Sequence, residues 1–305
     1  MTGDAVAQPQ ASPEVCIDAE ALERFLDLEF DGTPGVAREF PLLVAPRNPG
    51  RSRVLREGGE ILSHAAWRPL ELVLGTRRVH AAGVGLVTTA VGRRGCGLAA
   101  RVISSCLEAA RAEGAEVAVL FGRPSALYSR LGFVLAGRER VTRVDPDLAA
   151  SIAEIRCGGV DDAARLLPLL ERHPLRVSRS AEDFAALLDI PDTLLYVAER
   201  GGAPTAYCVL GKGRDLGGVI HEWAGAPEAV EALLRGVAAI RSQSLVVIGP
   251  DALAAPVAEK GGIGPLAMFR VLDPEALGSD DPVELFGDSE TAARLPLYIW
   301  GLDSV

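Results

Sequence analysis

The sequence predicts an α/β (α+β) protein built from two consecutive units in which strands and helices alternate. Its 305 residues exceed one typical domain and suit two. Segments with strand-like and helix-like periodicity follow one another along most of the chain. The order found before Asp145 recurs loosely after it, which indicates an internal duplication.

The first unit, residues 16–145, follows a tail of small and polar residues (1–15) that is expected to be disordered. The stretch Asp145-Pro146-Asp147 marks its end. Its helices are predicted at 18–30, 98–113 and 124–131, and its strands at 53–56, 60–74, 81–89, 117–121 and 133–144, with Pro69 dividing the second strand. Because the strand 81–89 is apolar on both faces, it is expected to lie centrally in its sheet.

The second unit, residues 146–273, repeats this alternation. Its helices are predicted at 160–171, 181–188, 228–240 and 251–260, and its strands at 193–199, 203–211, 217–223, 244–248 and 266–271. A tail, residues 274–305, contains the apolar and aromatic stretch 295–302. Such a stretch requires burial against the rest of the protein.

The composition describes an acidic globular protein. The formal net charge of −10 disfavours a nucleic-acid surface and is compatible with cationic substrates. The five cysteines form no CxxC pair, so we expect no disulfide, no metal site and a reducing compartment. With no signal pattern and no apolar run of membrane-spanning length, the sequence predicts a cytoplasmic protein without a membrane segment. The oligomeric state stays open.

A glycine-rich turn precedes the helix 98–113. It reads Arg94-Gly95-Cys96-Gly97-Leu98-Ala99 and follows the central strand directly. A turn of this kind can bind an anion, because its backbone N–H groups are unpaired and the helix dipole adds positive potential. An ordinary strand-to-helix turn is the alternative. The spacing fits neither a Rossmann nor a P-loop motif.

A second motif, Tyr128-Ser129-Arg130-Leu131-Gly132-Phe133, follows the next predicted strand. The two motifs in this order, with the intervening helix and strand, resemble the acyl-CoA N-acyltransferase (GNAT) superfamily. In each unit the resemblance implies a mixed, mostly antiparallel twisted sheet flanked by helices. It also implies that acetyl-CoA binds at the first motif as a cosubstrate, without a metal.

The corresponding turn of the second unit, residues 224–228, has neither an arginine nor a pair of glycines. We therefore interpret the first unit as catalytic and the second as a degenerate GNAT-like domain. Tandem domains of this kind resemble the bacterial enhanced intracellular survival type of acetyltransferase over residues 18–270. That type ends in a sterol-carrier-like domain, for which this chain has only the tail 274–305.

The resemblance implies a role for each candidate residue. Backbone N–H groups at the end of the strand 81–89 would stabilise the oxyanion, and the turn would bind the pyrophosphate, with Arg93 adding charge. The predicted cofactor-binding residues are Val87, Thr88, Thr89, Arg94, Gly95, Cys96, Gly97, Leu98, Ala99 and Ala100. Tyr128 would be the general acid that protonates the coenzyme A thiolate. A tyrosine that only packs its helix onto the sheet is the alternative.

The general base is the open position, because the strand 81–89 contains no acidic residue. In survival-type enzymes the C-terminal carboxylate takes this role, and the corresponding group here is the carboxylate of Val305. Docking of the tail on the second unit is an equal alternative. His64 and His80 are further candidates because histidine titrates near neutrality. Asp303 and Glu222 are candidates for lining an amine pocket.

The predicted function is acetyl-CoA-dependent N-acyl transfer to a primary amine by direct attack on the thioester. The acceptor could be a small molecule or a peptide amine. The alternative is a non-catalytic module that binds acyl-CoA or a protein partner. A hydrolase or nucleotide-binding enzyme is disfavoured, because the sequence contains no G-x-S-x-G, Walker or Rossmann motif.

Overall fold

A computed structural model of the chain describes residues 11–30, 32–147, 154–253, 261–288 and 293–304. Within these ranges the strands are β1 (Glu14–Val15), β2 (Ser52–Glu57), β3 (Glu60–Leu74), β4 (Arg77–Thr89), β5 (Val117–Leu120), β6 (Val134–Val144), β7 (Ile155–Cys157), β8 (Leu175–Val177), β9 (Leu194–Arg200), β10 (Ala203–Leu210), β11 (Val219–Gly225), β12 (Leu245–Pro250) and β13 (Gly262–Val271). The helices are α1 (Ala19–Glu29), α2 (Val36–Glu39), α3 (Leu98–Ala112), α4 (Ala126–Arg130), α5 (Ala163–Leu170), α6 (Ala181–Leu188), α7 (Pro227–Arg241), α8 (Pro274–Leu277) and α9 (Pro282–Phe286).

All strands belong to one mixed, mostly antiparallel sheet, which confirms the predicted fold class. The sheet has 13 strands in the order β1-β2-β3-β4-β5-β13-β6-β12-β11-β10-β9-β7, and β8 pairs with β3. Parallel pairing occurs between β4 and β5 and between β11 and β12. These two pairs occupy corresponding positions on either side of the centre.

The centre of the sheet contains an exchange of strands between the two halves of the chain. β13, from the second half, lies between β5 and β6 of the first half. β6 in turn lies between β13 and β12 of the second half. The two halves therefore form one continuous sheet. The sheet has no gap at the predicted boundary near residue 145, and the division into two domains stays a prediction.

Helix α3 covers one face of the first half of the sheet. Its buried residues Leu98, Val102 and Cys106 recur at helical spacing and pack on Ala82 and Val84 of β4 in one core cluster. Cys106 is fully buried, as its place on the apolar face predicts. This packing fixes the start of α3 beside the end of β4.

Three segments differ from the predictions. Glu14 and Val15, which the sequence places in a disordered tail, form β1 against β2. Pro69 does not divide β3, because β2 pairs with β3 only as far as Ala66 and leaves no partner there that needs the missing N–H. Residues 1–10 and most of the predicted helix 251–260 lie outside the described residues. No helix in the described part of the chain is long and apolar enough to cross a membrane.

Candidate active site

The site is built where β4 and β5 separate. The two strands pair only from Ala81 to Gly83 on β4, so residues 84–89 lack a partner on that side. Val87, Thr88 and Thr89, the predicted oxyanion and cofactor residues, lie in this separated part. Backbone groups held in a strand but left without a neighbour can bind a ligand without reorganisation.

A β-bulge directs this end of β4. The pairing with β3 shifts between His64 and Ala66, and Leu86 opposite has a positive φ of 51°. That conformation is unfavourable for a leucine, and strained residues of this kind cluster at functional sites. The Leu86 carbonyl is 2.9 Å from Nδ1 of the buried His64, which anchors the bulge.

The predicted anion-binding turn has the expected geometry. Gly95 and Gly97 both adopt positive φ, at 79° and 76°, which allows the sharp entry into α3. Gly97 is the N-cap residue. Because glycine has no side chain, it cannot accept hydrogen bonds from the first N–H groups of the helix. Anions bind well at such a helix start.

Two glutamates lie beside the arginines of the turn. Arg93 pairs with Glu57, and Arg94 reaches the largely buried Glu29 at 3.5 Å. Glu29 also accepts a hydrogen bond from the Val91 N–H at 3.0 Å, and Arg94 donates to the Thr89 carbonyl at 3.1 Å. These contacts connect the turn to α1 and hold it in place.

The turn and the strand end enclose a first pocket of about 660 Å³. Nine of the ten predicted cofactor-binding residues line it: Val87, Thr88, Thr89, Arg94, Gly95, Gly97, Leu98, Ala99 and Ala100. Cys96 does not, because its side chain packs beside the core under α3. Leu127, Tyr128 and Arg130 form the opposite side, so the structure brings the two sequence motifs to one pocket.

Tyr128 lies on α4 at the edge of this pocket. Its ring contacts Phe133 edge to face, with centroids 6.3 Å apart, and its carbonyl accepts a bond from the Phe133 N–H. Burial raises the pKa of the Tyr128 phenol above its ordinary value, so the phenol stays protonated at neutral pH. Both the packing role and the acid role proposed for this residue fit that position.

A second cavity, of about 480 Å³, opens on the other side of the strand end. Val87 and Tyr128 line both cavities, so they form the boundary at which the cavities meet. Its walls are apolar for the most part and include Phe30, Phe40, Phe121, Leu266 and Ile299. The polar groups are those of Glu139, Asp215, Arg123 and Ser304.

Glu139, on β6, is a site residue that the sequence analysis missed. It lines the second cavity and accepts a hydrogen bond from the Tyr298 hydroxyl at 3.0 Å. Burial raises the pKa of the Glu139 carboxyl to about 7, against a smaller opposite effect of the Tyr298 bond. No local motif marks this residue, because its partner lies 159 positions away in the chain.

Residues 297–303 of the C-terminal stretch are buried, as its apolar composition predicts, and the stretch forms part of the cavity wall through Ile299, Gly301 and Ser304. Lys212, itself buried, donates to the carbonyls of Gly301 and Ser304 at 3.0 and 2.5 Å. The carboxylate of Val305, the predicted base, lies outside the described residues.

Asp303 and Glu222, candidates for an amine pocket, instead belong to a buried ionic network. Asp303 pairs with Arg68 at 2.9 Å and with Arg179 at 2.6 Å, and Arg179 also pairs with Glu222 at 2.6 Å. Neither carboxylate lines the two cavities described above. Their expected role at the acceptor site is therefore wrong: they attach the C-terminal stretch to β3 and β11.

The two candidate histidines, His64 and His80, lie outside both cavities. His64 is fully buried, and burial lowers its pKa to about 4, so it stays neutral and is enclosed by protein. His80 is exposed and lines a separate groove with Glu71 and Glu113. Neither side chain lines either of the two cavities. Within the described residues, no group of three metal-ligating side chains occurs.

Comparison with known proteins gives one sequence match and many structural ones. Residues 23–136 match the sequence model of the acetyltransferase (GNAT) domain. No curated protein matches the chain. Because the matched segment covers well under half of the chain, it describes the part that contains the turn and Tyr128.

Several solved structures share the fold. A GCN5-related N-acetyltransferase from Kribbella flavida is 20% identical with a TM-score of 0.57, over 75% of this chain and 61% of that one. One from Anabaena variabilis is 18% identical with a TM-score of 0.66, over 86% and 72%. Eis1 from Mycobacterium abscessus is 20% identical with a TM-score of 0.60, over 88% and 75%. Residues 23–136 thus match a GNAT acetyltransferase domain, and the fold is that of the GCN5-related N-acetyltransferases.

Proposed function

We propose that the protein is an N-acyltransferase that moves an acetyl group from acetyl-CoA to a primary amine. The observation that carries this proposal is the meeting of two cavities at Val87 and Tyr128. Direct transfer between two substrates needs two binding pockets that open onto one reacting centre. A protein that only bound acyl-CoA would have no use for the second cavity.

The first pocket suits coenzyme A. The N–H groups of Leu98, Ala99 and Ala100 at the start of α3 would bind the pyrophosphate, with Arg93 and Arg94 supplying charge. The unpaired end of β4 would bind the pantetheine arm by backbone hydrogen bonds. The same strand would offer an N–H of Val87, Thr88 or Thr89 to the developing oxyanion.

Tyr128 suits the role of general acid. It lines both cavities, and it would therefore lie where the thiol leaves and the amine enters. No described residue hydrogen-bonds its hydroxyl, and its raised pKa keeps the proton available at neutral pH. A phenol can protonate a departing thiolate whose conjugate acid has a pKa of about 8.5.

The second cavity suits an amine attached to an apolar body. Its walls are mainly aromatic and aliphatic, and its two carboxylates, Glu139 and Asp215, outnumber the one arginine, Arg123. A cationic ammonium group is therefore favoured over an anionic group. Small amines with an apolar or aromatic part fit this description.

The test is thiol release from acetyl-CoA in the presence of a panel of primary amines, with and without aromatic groups. We expect turnover with the apolar amines, and a fall of about 100-fold in kcat for Tyr128→Phe with coenzyme A affinity unchanged. Tyr196→Phe, a buried tyrosine of β9 away from both cavities, is the matched control. Coenzyme A binding without turnover for any amine would favour the non-catalytic module.

A further inference from the structure

We propose that Glu139 is the general base that takes a proton from the acceptor amine, and that Tyr298 positions its carboxylate. The inference rests on the proposed function, because it assigns the acceptor to the second cavity. It addresses a gap in the first half of the sheet, where β4 carries no acidic residue near the site.

The direction of the Glu139 side chain follows from strand alternation. Successive side chains of a strand point to opposite faces. Arg138 and Arg140, its neighbours, both bind Asp251, at 2.7 and 2.5 Å. Glu139 points the other way and lines the cavity that Val87 and Tyr128 also line. The strand thus separates the carboxylate of Glu139 from the arginines next to it in sequence.

Tyr298 fixes one oxygen of this carboxylate. Its hydroxyl donates to Oε2 of Glu139 at 3.0 Å, and its ring is almost completely buried against Trp300, with centroids 5.0 Å apart. A phenol held by packing cannot turn away from its acceptor. Among the described residues no hydrogen-bond partner of Oε1 is found, so this oxygen is free to accept a proton from a bound amine.

The charges around Glu139 leave its basicity high. No arginine, lysine or histidine of the described chain forms an ion pair with it. The pairing strands present Pro250 and Gly264 opposite it, which carry no charge. Arg123, Asp215 and Tyr128 also line the cavity, and the carboxylate of Glu222 interacts electrostatically with Tyr298. Burial without a cation raises the carboxyl pKa to about 7.

The proton balance of the reaction assigns each group one task. An ammonium group loses two protons when it becomes an amide. Glu139 takes the first, which frees the nitrogen lone pair for attack on the thioester carbon, and later releases it to solvent. As the C–S bond breaks, Tyr128 gives its proton to the sulfur. The second nitrogen proton then restores the Tyr128 phenol, so that one proton in total goes to solvent.

The experiment is a pH profile of kcat/KM for the amine that turns over best, with acetyl-CoA saturating. For the unaltered protein we expect kcat/KM to fall on the acidic side of an apparent pKa near 7. Glu139→Gln should lower kcat by about 100-fold and remove this acidic limb. Glu108→Gln, an exposed glutamate of α3, is the control and should change neither.

Tyr298→Phe tests the positioning role. Loss of the hydroxyl removes a hydrogen bond that favours the charged carboxylate, so the acidic limb should move to higher pH while activity returns at alkaline pH. A tyrosine that served only for packing would leave the limb in place. Tyr196→Phe is the control and should leave it unmoved.

The outcomes separate this inference from the function on which it rests. Calorimetric titration with coenzyme A verifies that each variant is folded. If the unaltered protein turns over but Glu139→Gln keeps its rate or its acidic limb, the base assignment is wrong and the proposed function stands. If the unaltered protein neither binds coenzyme A nor releases thiol, the proposed function fails, and the assignment of Glu139 fails with it.

Discussion

The molecule contains two corresponding strand-to-helix junctions that differ in the length and composition of their turns. In the first half, residues 90–97 separate β4 from α3, with two glycines at positive φ. In the second half, Ala226 alone separates β11 from α7, and Pro227 is the first helical residue. Both helices have 15 residues, and both strands pair in parallel with the next strand. The two junctions share helix length and strand pairing, and they differ in the turn between strand and helix.

The second junction lacks what an anion needs. Pro227 has no N–H to offer, and the one glycine of that turn, Gly225 at a φ of 144°, precedes the N-cap Ala226, whereas in the first half Gly97 is itself the N-cap. The face of β11 is also covered by the protein itself: Trp300 packs on Trp223 at 5.0 Å, and Gly301 lies against His221. Where the end of β4 and the start of α3 border an open pocket, the face of β11 packs against the C-terminal stretch.

The same contrast applies to two glutamates, the partly buried Glu139 and the fully buried Glu222. Each accepts a hydrogen bond from a tyrosine, Glu139 from Tyr298 at 3.0 Å and Glu222 from Tyr207 at 2.9 Å. Arg179 neutralises Glu222, whereas no described cation pairs with Glu139. The ion pair with Arg179 holds Glu222 in place, whereas Glu139, without a cation, retains the capacity to take a proton.

Neutralising Asp303, which attaches the C-terminal stretch to the sheet, has the largest expected effect on stability. Asp303→Asn should leave Arg68 and Arg179 with an incomplete set of acceptors in a buried site, at a cost of about 3–5 kcal/mol in the free energy of unfolding. Urea denaturation measures it. Asp145→Asn, in an exposed pair with Arg143, should leave the free energy of unfolding nearly unchanged, because solvent screens that pair. Equal effects of the two changes would contradict a structural role for the network.

The two glutamates should respond to neutralisation with opposite sign. The pKa of Glu139 is raised from 4.5 to about 7, so the ionised carboxylate destabilises the folded protein. This destabilisation is absent below pH 4.5 and complete above about pH 7. Glu139→Gln should therefore stabilise the protein by about 3 kcal/mol at alkaline pH and leave stability unchanged in acid. Glu222→Gln should destabilise it by about 3 kcal/mol, because Arg179 loses a partner. Thermal unfolding across pH distinguishes them, and a loss of stability for both would remove the contrast.

The turns themselves allow a smaller, direct comparison. Gly97→Val places a β-branched residue at a φ of 76° and adds bulk beside the pocket, so coenzyme A affinity should fall about tenfold or more. Ala226→Val changes the corresponding position of the second half, where φ is −66° and the side chain is exposed. It should leave affinity unchanged. A loss of affinity from Ala226→Val would show that the second junction also takes part in binding.

Much of the first half could be predicted because its signals are local. The glycines before α3, the periodicity of α3 and the motif around Tyr128 all lie in one continuous segment, residues 94–133, and the structure brings the two motifs to one pocket. The roles assigned to them stay predictions, as does the likeness to survival-type enzymes. The extents of most helices and strands differ from the predicted ones by a few residues, as frayed ends do.

The remainder depends on contacts between distant residues. Arg68, the partner of Asp303, lies 235 positions away in the chain, so the sequence does not reveal the pair. The negative charge of Asp303 alone suggested an amine pocket, whereas the fold buries it against its arginine partners. Glu139 was passed over for the same reason, since only the fold brings Tyr298 to it. Short strands such as β7 and β8 have too few residues for a periodic signal, and their pairing with β9 and β3 defines them.

The exchange of β13 and β6 has a consequence for how the molecule forms. A chain that stops at residue 145 contains the turn, Tyr128 and Glu139, yet β5 would have an open edge where β13 belongs. During synthesis the first half therefore waits for residues 262–271 before its sheet can close. Removing either half would leave unpaired strand edges in the other, so the second half completes the sheet on which the site of the first half is built.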